Sequence, residues 1–243
     1  PFAVNAATFT ALGYLPGGAL VSVAHGVSAD GSVVVGRARN NEAFRWTSGE
    51  GMVGLGVLPG GSDSAAWGVS ADGLTIVGES TSDAGERAFR WTSGEGMVDL
   101  GVLPGGSYSA SIAREVSADG AVVVGESSGL SGQQAFRWTA GGGMVGLGSL
   151  PGAFPGSGAA GVSADGSVVV GFGNAATEAF RWTVAEGMVG LGVVPGSAYD
   201  YSLAQDVSAD GNAVVGSNVD TEGSEQASRW TSDEGWLELG ALP

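Results

Sequence analysis

Val69-Ser70-Ala71-Asp72-Gly73-Leu74-Thr75-Ile76-Val77, joined by ten residues to Ala88-Phe89-Arg90-Trp91-Thr92, is one copy of a phrase that the chain writes five times. The turn aspartates are Asp30, Asp72, Asp119, Asp165 and Asp210, at spacings of 42, 47, 46 and 45 residues. The tryptophans Trp46, Trp91, Trp138, Trp182 and Trp230 follow at spacings of 45, 47, 44 and 48. A period of about 45 residues holds four short strands with their turns, the size of a propeller blade, and is too long for one leucine-rich or ankyrin unit. Nothing in the unit reads as helix: glycine makes up 46 of 243 residues, and no apolar pattern at three-and-four spacing is sustained.

Within the second copy the local signals agree. Ser64 to Ser70 reads as strand A, and Ala71-Asp72-Gly73 as a tight turn whose glycine can take the left-handed position. Leu74 to Val77 is strand B, apolar on both faces in most copies, as suits a strand sandwiched between neighbouring sheets. In strand C, Ala88 to Thr92, alternation puts Phe89 and Trp91 on one face and Ala88, Arg90 and Thr92 on the other. Ser93-Gly94-Glu95-Gly96 turns into strand D, Met97 to Gly101, and Leu103-Pro104-Gly105-Gly106 ends it, because proline cannot donate to a continuing ladder.

These signals predict an all-β fold: a five-bladed β-propeller of four-stranded antiparallel blades, closed by a terminal strand, with a parallel solenoid as second choice. Residues 1–243 then make a single domain, with repeats near 19–61, 62–106, 107–152, 153–196 and 197–243. Strand D, however, occurs six times, since a segment near 8–15 and the stretch Trp236 to Gly240 both match it. The expectation is that the N-terminal segment closes the last blade and the C-terminal strand is displaced or added, the reverse assignment being nearly equivalent. The last unit also has Ser228 in place of phenylalanine and Trp236 in place of methionine, so bulk lost from strand C is expected to return from strand D.

Composition narrows the function. Without cysteine there are no disulfides, no thiolate nucleophile and no cysteine-ligated zinc. No apolar run approaches the roughly twenty residues that cross a bilayer, so no direct membrane insertion of this segment is expected. Acidic residues outnumber basic ones 25 to 9, and a net charge of −16 argues against nucleic acid or anionic lipid as partner. The chain opens on Pro1 rather than methionine, which reads as a processed or trimmed start.

Five of the nine basic residues are the strand C arginines Arg45, Arg90, Arg137, Arg181 and Arg229. A partly buried guanidinium needs a carboxylate or several carbonyls. Two pairings stay open: the turn aspartate holds the arginine, or the aspartate serves only its own turn while the arginine reaches carbonyls of the next blade. Both are structural, and a catalytic site repeated five times is not expected.

Leu-Gly-x-Leu-Pro-Gly-Gly, then Gly-Val-Ser-Ala-Asp-Gly-x-x-Val-Val-Gly, then Ala-Phe-Arg-Trp-Thr, resembles the HAF-repeat family of extracellular bacterial proteins, over Phe9 to Gly240. The resemblance implies export and a cell-surface or extracellular place, in some members as the passenger of an autotransporter, and carries no catalytic residue. Ser228 and the shortened exits Pro151-Gly152 and Pro195-Gly196 depart from the pattern.

Function on a rigid scaffold sits on its variable loops. Here these are the B-to-C segments, Arg37 to Glu42, Glu79 to Arg87, Glu126 to Gln134, Phe172 to Glu178 and Ser217 to Gln226, with the D-to-A stretches after each Pro-Gly. Trp67, Tyr108, Phe154, Tyr199 and Tyr201 stand near the starts of A strands, where they can stack on sugars or anchor a protein, or else pack under the loops. His25 and Arg114, with Trp67, precede the repeated phrase where strand A approaches the axis, and they differ between copies. A glycosidase would need Glu115 and Asp206 to converge in an open cleft. Calcium would draw on Asp200, Asp206, Asp220, Glu222 and Glu225, which show no known loop spacing, so no cofactor is called for. The expected function is a non-catalytic binding or structural module, facing a surface protein or a glycan.

Overall fold

The protein is seen in a computed structural model that describes residues 9–17, 21–38, 41–105, 110–129, 132–151, 156–173, 178–196, 201–219 and 222–240. Its strands form five four-stranded antiparallel sheets, and in each sheet the spatial order follows the chain order. Blade 1 contains β1 (Ser22–Val27), β2 (Val33–Ala38), β3 (Glu42–Thr47) and β4 (Gly51–Gly54). Blade 2 contains β5 (Ser64–Val69), β6 (Ile76–Ser82), β7 (Gly85–Thr92) and β8 (Gly96–Asp99). Blade 3 contains β9 (Ser111–Val116), β10 (Val122–Gly129), β11 (Gly132–Thr139) and β12 (Gly143–Gly146). Blade 4 contains β13 (Ser157–Val162), β14 (Val168–Gly173), β15 (Glu178–Thr183) and β16 (Gly187–Gly190). Blade 5 contains β17 (Ser202–Val207), β18 (Ala213–Val219), β19 (Glu225–Thr231) and β20 (Gly235–Glu238). Among the described residues no helix is long and apolar enough to cross a membrane.

The A-to-B turn shows why the repeated phrase folds as it does. The Ser70 hydroxyl donates to Asp72 Oδ1 at 2.6 Å and accepts from the Thr75 amide at 2.9 Å, while the Leu74 amide donates to the same carboxylate oxygen. Equivalent serine–aspartate pairs form in the other four copies. The hydrogen bonds hold Asp30 and Asp165 at about 2 and lower Asp72, Asp119 and Asp210 as well. Gly73 has φ +72° and lies so close to the Val33 side chain of blade 1 that a Cβ would approach it to 2.6 Å. Left-handed geometry and the neighbouring blade both require glycine there.

The aspartates therefore serve their own turns, as the second reading expects, while four of the five strand C arginines take a partner that neither reading names. Arg45, Arg90, Arg181 and Arg229 pair with Glu50, Glu95, Glu186 and Glu234, five residues on, in the turn from strand C to strand D. Blade 3 has Gly142 at that place, and there Arg137 Nε reaches the Gly166 carbonyl of blade 4 at 3.4 Å. Only where the local carboxylate is missing does the arginine cross between blades.

Each blade has two apolar faces, one toward the preceding blade and one toward the next. Ala66, Val69, Ile76 and Phe89 of blade 2 meet Val33, Val35, Ala43 and Leu55 of blade 1, with Trp91 and Met97 at the edge. Val77, Ala88 and Leu100 on the other face meet Ala113, Val116, Val123 and Phe136 of blade 3. This is why strand B is apolar on both sides. In blade 5, Trp236 sits with Ala204, Val207 and Val214 against blade 4, next to Trp230, and fills the place left by Ser228. The exchange leaves the buried Trp236 Nε1 without a partner, a polar cost that methionine does not carry.

Two sets of hydrogen bonds join consecutive blades. Along the inner A-to-B turns, Ala29, Ala71, Ala118 and Ala164 amides donate in sequence to the carbonyls of Ala71, Ala118, Ala164 and Ala209. Farther out, a buried serine at the start of strand A accepts the strand C amide of the preceding blade and donates to its exit glycine. For Ser111 the partners are Ala88 N at 2.9 Å and Gly101 O at 2.6 Å, and Ser64, Ser157 and Ser202 repeat the arrangement.

The fourth place in the last sheet is taken by β20, which pairs with β19, so the C-terminal strand completes blade 5 and is not displaced. Residues 9–17 lie against blade 1, with Leu12 and Leu15 beside Phe44 and Met52, outside any sheet. Among the described residues no inner-turn bond joins Ala209 back to Ala29.

Candidate functional site

Every strand A carries a β-bulge at one position. Register jumps over His25 in β1, Trp67 in β5, Arg114 in β9, Ala160 in β13 and Gln205 in β17. A bulged residue is freed from the ladder and re-aimed, so each inner strand presents one side chain outside the regular pleat. The bulge follows from the strand B glycine. At Gly78, for example, a Cβ would stand 2.0 Å from the Ala65 carbonyl, so the two backbones approach more closely than any side chain permits.

The first three of these side chains come together. The rings of His25 and Trp67 are 4.3 Å apart, tilted by 40°. The Arg114 guanidinium also lies over the indole, 5.5 Å from its centroid. Aromatic contact and cation–π attraction thus hold Trp67 to side chains from blades 1 and 3. Arg114 is anchored by Glu126 at 2.5 Å, and Glu126 also binds Gln133. Burial and then the Arg37 charge lower the His25 pKa below its ordinary value, so the imidazole is neutral at pH 7. Glu79 is raised, first by burial and then by Glu86, against the opposing pull of Arg114 and Arg37. The buried Trp67 Nε1 lies near enough to Glu79 to favour its ionised form, yet short of hydrogen-bond geometry. Beside the patch is a groove of about 420 Å³ lined by Val21, Val23, His25, Arg37 and Trp67 among others.

Arg37, Glu79 and Glu126 were placed by sequence at the starts of variable loops, but they belong to strand B and pair opposite Val23, Ala65 and Ile112. Ladders B and C run farther than expected, to Ser82–Gly85 and Gly129–Gly132. Phe172 and Ser217 are likewise strand residues. The signal was present, since the residue after each strand B glycine changes from copy to copy: Arg, Glu, Glu, Phe, Ser.

The remaining candidates do not join this cluster. Tyr201 is half-buried beside blade 5, its pKa raised by burial and by Glu225. Tyr108, Phe154 and Tyr199 lie outside the described residues, as do Asp200 and Asp220. Glu225 accepts from the Ser217 hydroxyl at 2.6 Å, while Asp206 accepts the Val207 amide at 2.7 Å. Among the described residues no group of three histidine or acidic side chains could hold a metal ion.

Glu115 feels the charge of Asp206. Burial, reinforced by the Asp206 charge, pushes Glu115 up to about 7, although the Val116 amide donates to it at 2.9 Å. Glu115 packs over Gly68 of blade 2, and Asp206 over Gly161 of blade 4. Each carboxylate is folded onto a neighbouring inner strand and capped by the next amide.

With the geometry in view, comparison supports the propeller-type arrangement. The chain is similar to TolB from Acinetobacter baumannii, at 15% identity and a TM-score of 0.58, covering 89% of this chain and 53% of that one. It is similar as well to a candidate TolB from Agrobacterium tumefaciens, at 14% identity and a TM-score of 0.58, covering 91% of this chain and 80% of that one. This chain thus spans about half the length of the first, and at such identity the likeness shows the fold alone. No family model and no curated protein matches the sequence, so the HAF-repeat resemblance rests on its motifs.

Proposed function

We propose that the chain is a non-catalytic binding module of an exported protein, and that its contact surface is the patch formed by His25, Trp67 and Arg114. The observation that carries this reading is the indole of Trp67, in contact with the His25 imidazole and the Arg114 guanidinium, the three side chains coming from successive inner strands. Such an aromatic platform, bordered by donors and a groove, suits a sugar ring or an aromatic or acidic protein side chain. Exported placement follows from the HAF-repeat resemblance, and the surplus of 25 acidic over 9 basic residues accords with it.

The test is a titration of the purified chain against a glycan panel, with calcium and with chelator, read by tryptophan fluorescence and repeated with Trp67→Ala. An anchoring aromatic contributes about 2 kcal/mol or more, so affinity should fall about thirtyfold or further. A ligand bound equally by both forms refutes the patch. Absence of saturable glycan binding removes the lectin form of the proposal and leaves protein contact. Glycoside hydrolysis has one observation in its favour, the elevated Glu115 beside Asp206. Turnover of chromogenic glycosides that is lost in Glu115→Gln would establish it.

A further inference from the structure

The outer faces of blades 1 and 5 are exposed, and we propose that the face of blade 1 seats a further blade of the same repeat, for which residues 9–15 are already the fourth strand. The other three places in that blade would be taken by strands A to C of another unit of this repeat. The inference stands apart from the binding reading above.

The first support is the pattern of exposure. Val27 is 60% exposed, whereas its equivalents Val69, Val116, Val162 and Val207 are 5–8% exposed. Ala24 is also exposed and Val34 half-covered, while their counterparts in the other four blades are buried. At the far end, Val215 is 44% exposed where Val35, Val77, Val124 and Val170 are at 0%. Leu239 and Ala227 are exposed there too. Both end faces therefore have the composition of internal interfaces and lack the opposing sheet.

The glycines and hydrogen bonds agree. The turn glycines of blades 2, 3, 4 and 5 each abut the preceding blade, at Val33, Thr75, Val122 and Val168, whereas a Cβ on Gly31 would meet nothing within 4 Å. Ser22 donates to Gly13 O at 3.1 Å, as Ser64, Ser111, Ser157 and Ser202 donate to Gly56, Gly101, Gly148 and Gly192. Gly13 is thus in the register of an exit glycine. In the complete copies, the leucine before that glycine donates its amide to the strand C alanine, as Leu100 does to Ala88. Among the described residues Leu12 has no such bond, and Phe9 is 99% exposed. Between this segment and blade 1 lies a groove of about 670 Å³, lined by Phe9, Leu12, Ala24, Val34 and Phe44 among others. Strands B and C of a preceding blade belong in that space.

A second copy of this chain is excluded as occupant by its own blade 5. There β20 already holds the fourth place, so β20 and residues 9–15 would compete for one position.

The test joins residues 64–96, which hold strands A to C of blade 2 and the turn that follows, directly to Phe9 of the chain. Hydrogen exchange at the Leu12 amide is then compared with the parent. The added carbonyl should slow exchange by at least about a hundredfold, as for an amide that opens only with its blade. A folded fusion with an unprotected Leu12 overturns the proposal. A second measurement uses the parent chain, whose lack of cysteine makes engineered thiols unambiguous. Ala71→Cys/Ala118→Cys, at a bonded inner turn, should cross-link with a short bis-maleimide, and Ala29→Cys/Ala209→Cys should not. An intramolecular cross-link between positions 29 and 209 shows direct closure of five blades and overturns the proposal. A covalent dimer from that pair shows a second copy on the face, and overturns it equally.

Discussion

Replacing Ser111 by alanine tests the account of how the blades are joined. The Ser111 hydroxyl is 1% exposed and serves two buried backbone groups, accepting from Ala88 N at 2.9 Å and donating to Gly101 O at 2.6 Å. Alanine fits the space but leaves both groups unpartnered with no water to replace the hydroxyl. Each orphaned buried group costs about 1–3 kcal/mol, so Ser111→Ala should destabilise by about 2–6 kcal/mol. Among the described residues the Ser22 hydroxyl makes only the exposed bond to Gly13, and Ser22→Ala should stay within about 1 kcal/mol of the parent. Urea unfolding followed by tryptophan fluorescence measures both. With a slope of about 3 kcal/mol per molar, Ser111→Ala lowers the midpoint by about 0.7–2 M. Hydrogen exchange supplies the local readout, since the Ala88 amide should lose protection before other strand C amides. The reasoning is refuted if the two variants are equally destabilised, or if Ser111→Ala leaves the Ala88 amide as protected as before.

Other outcomes follow from the charges. Glu115 binds its proton more tightly in the folded chain, at about 7 against an ordinary 4.5, so its contribution is complete below pH 4.5 and is lost as pH rises through 7. Between pH 4.5 and 8 the parent should lose about 3 kcal/mol more stability than Glu115→Gln, and parallel pH profiles would contradict this. The turn carboxylate of Asp165 is depressed to about 2, so the opposite sign holds: its contribution is present above the ordinary carboxylate range and fades as pH falls through 2. Asp165→Asn should therefore flatten the acid limb of the unfolding curve, and an unchanged limb counts against the turn's role. Arg90 pairs with Glu95 at 2.8 Å within one hairpin and partly in water, so Arg90→Ala should cost no more than about 1 kcal/mol in urea unfolding. A loss above about 2 kcal/mol would show a role between blades.

The unit itself was legible because its information is local. Ser70, Asp72 and Thr75 close their turn within five residues, and Phe89 and Trp91 share a face by simple alternation. The Arg90–Glu95 pair is equally local, since Glu95 stands in the Ser-Gly-Glu-Gly turn at the end of the same strand C. Replacement of Ser228 by the bulk of Trp236 could be anticipated from sequence because the two positions lie on one hairpin.

The candidate site was legible only in its parts. His25, Trp67 and Arg114 stood out as variable residues within a constant frame, yet each is 42 to 47 residues from the next. Their meeting depends on a bulge set by close backbone approach at a glycine, and on the rotation from one inner strand to the next.

The amino-acid sequence by itself determined that there are repeated units, four strands in each, and two apolar faces on every strand B. Only the tertiary structure decided which terminal strand completes blade 5, which side chains share a patch, and which apolar faces are left exposed. The physical reason is that hairpin geometry is written inside each repeat by turn residues and alternation. Closure depends on the angle between neighbouring blades, a small packing quantity summed over the whole array and encoded in no single copy.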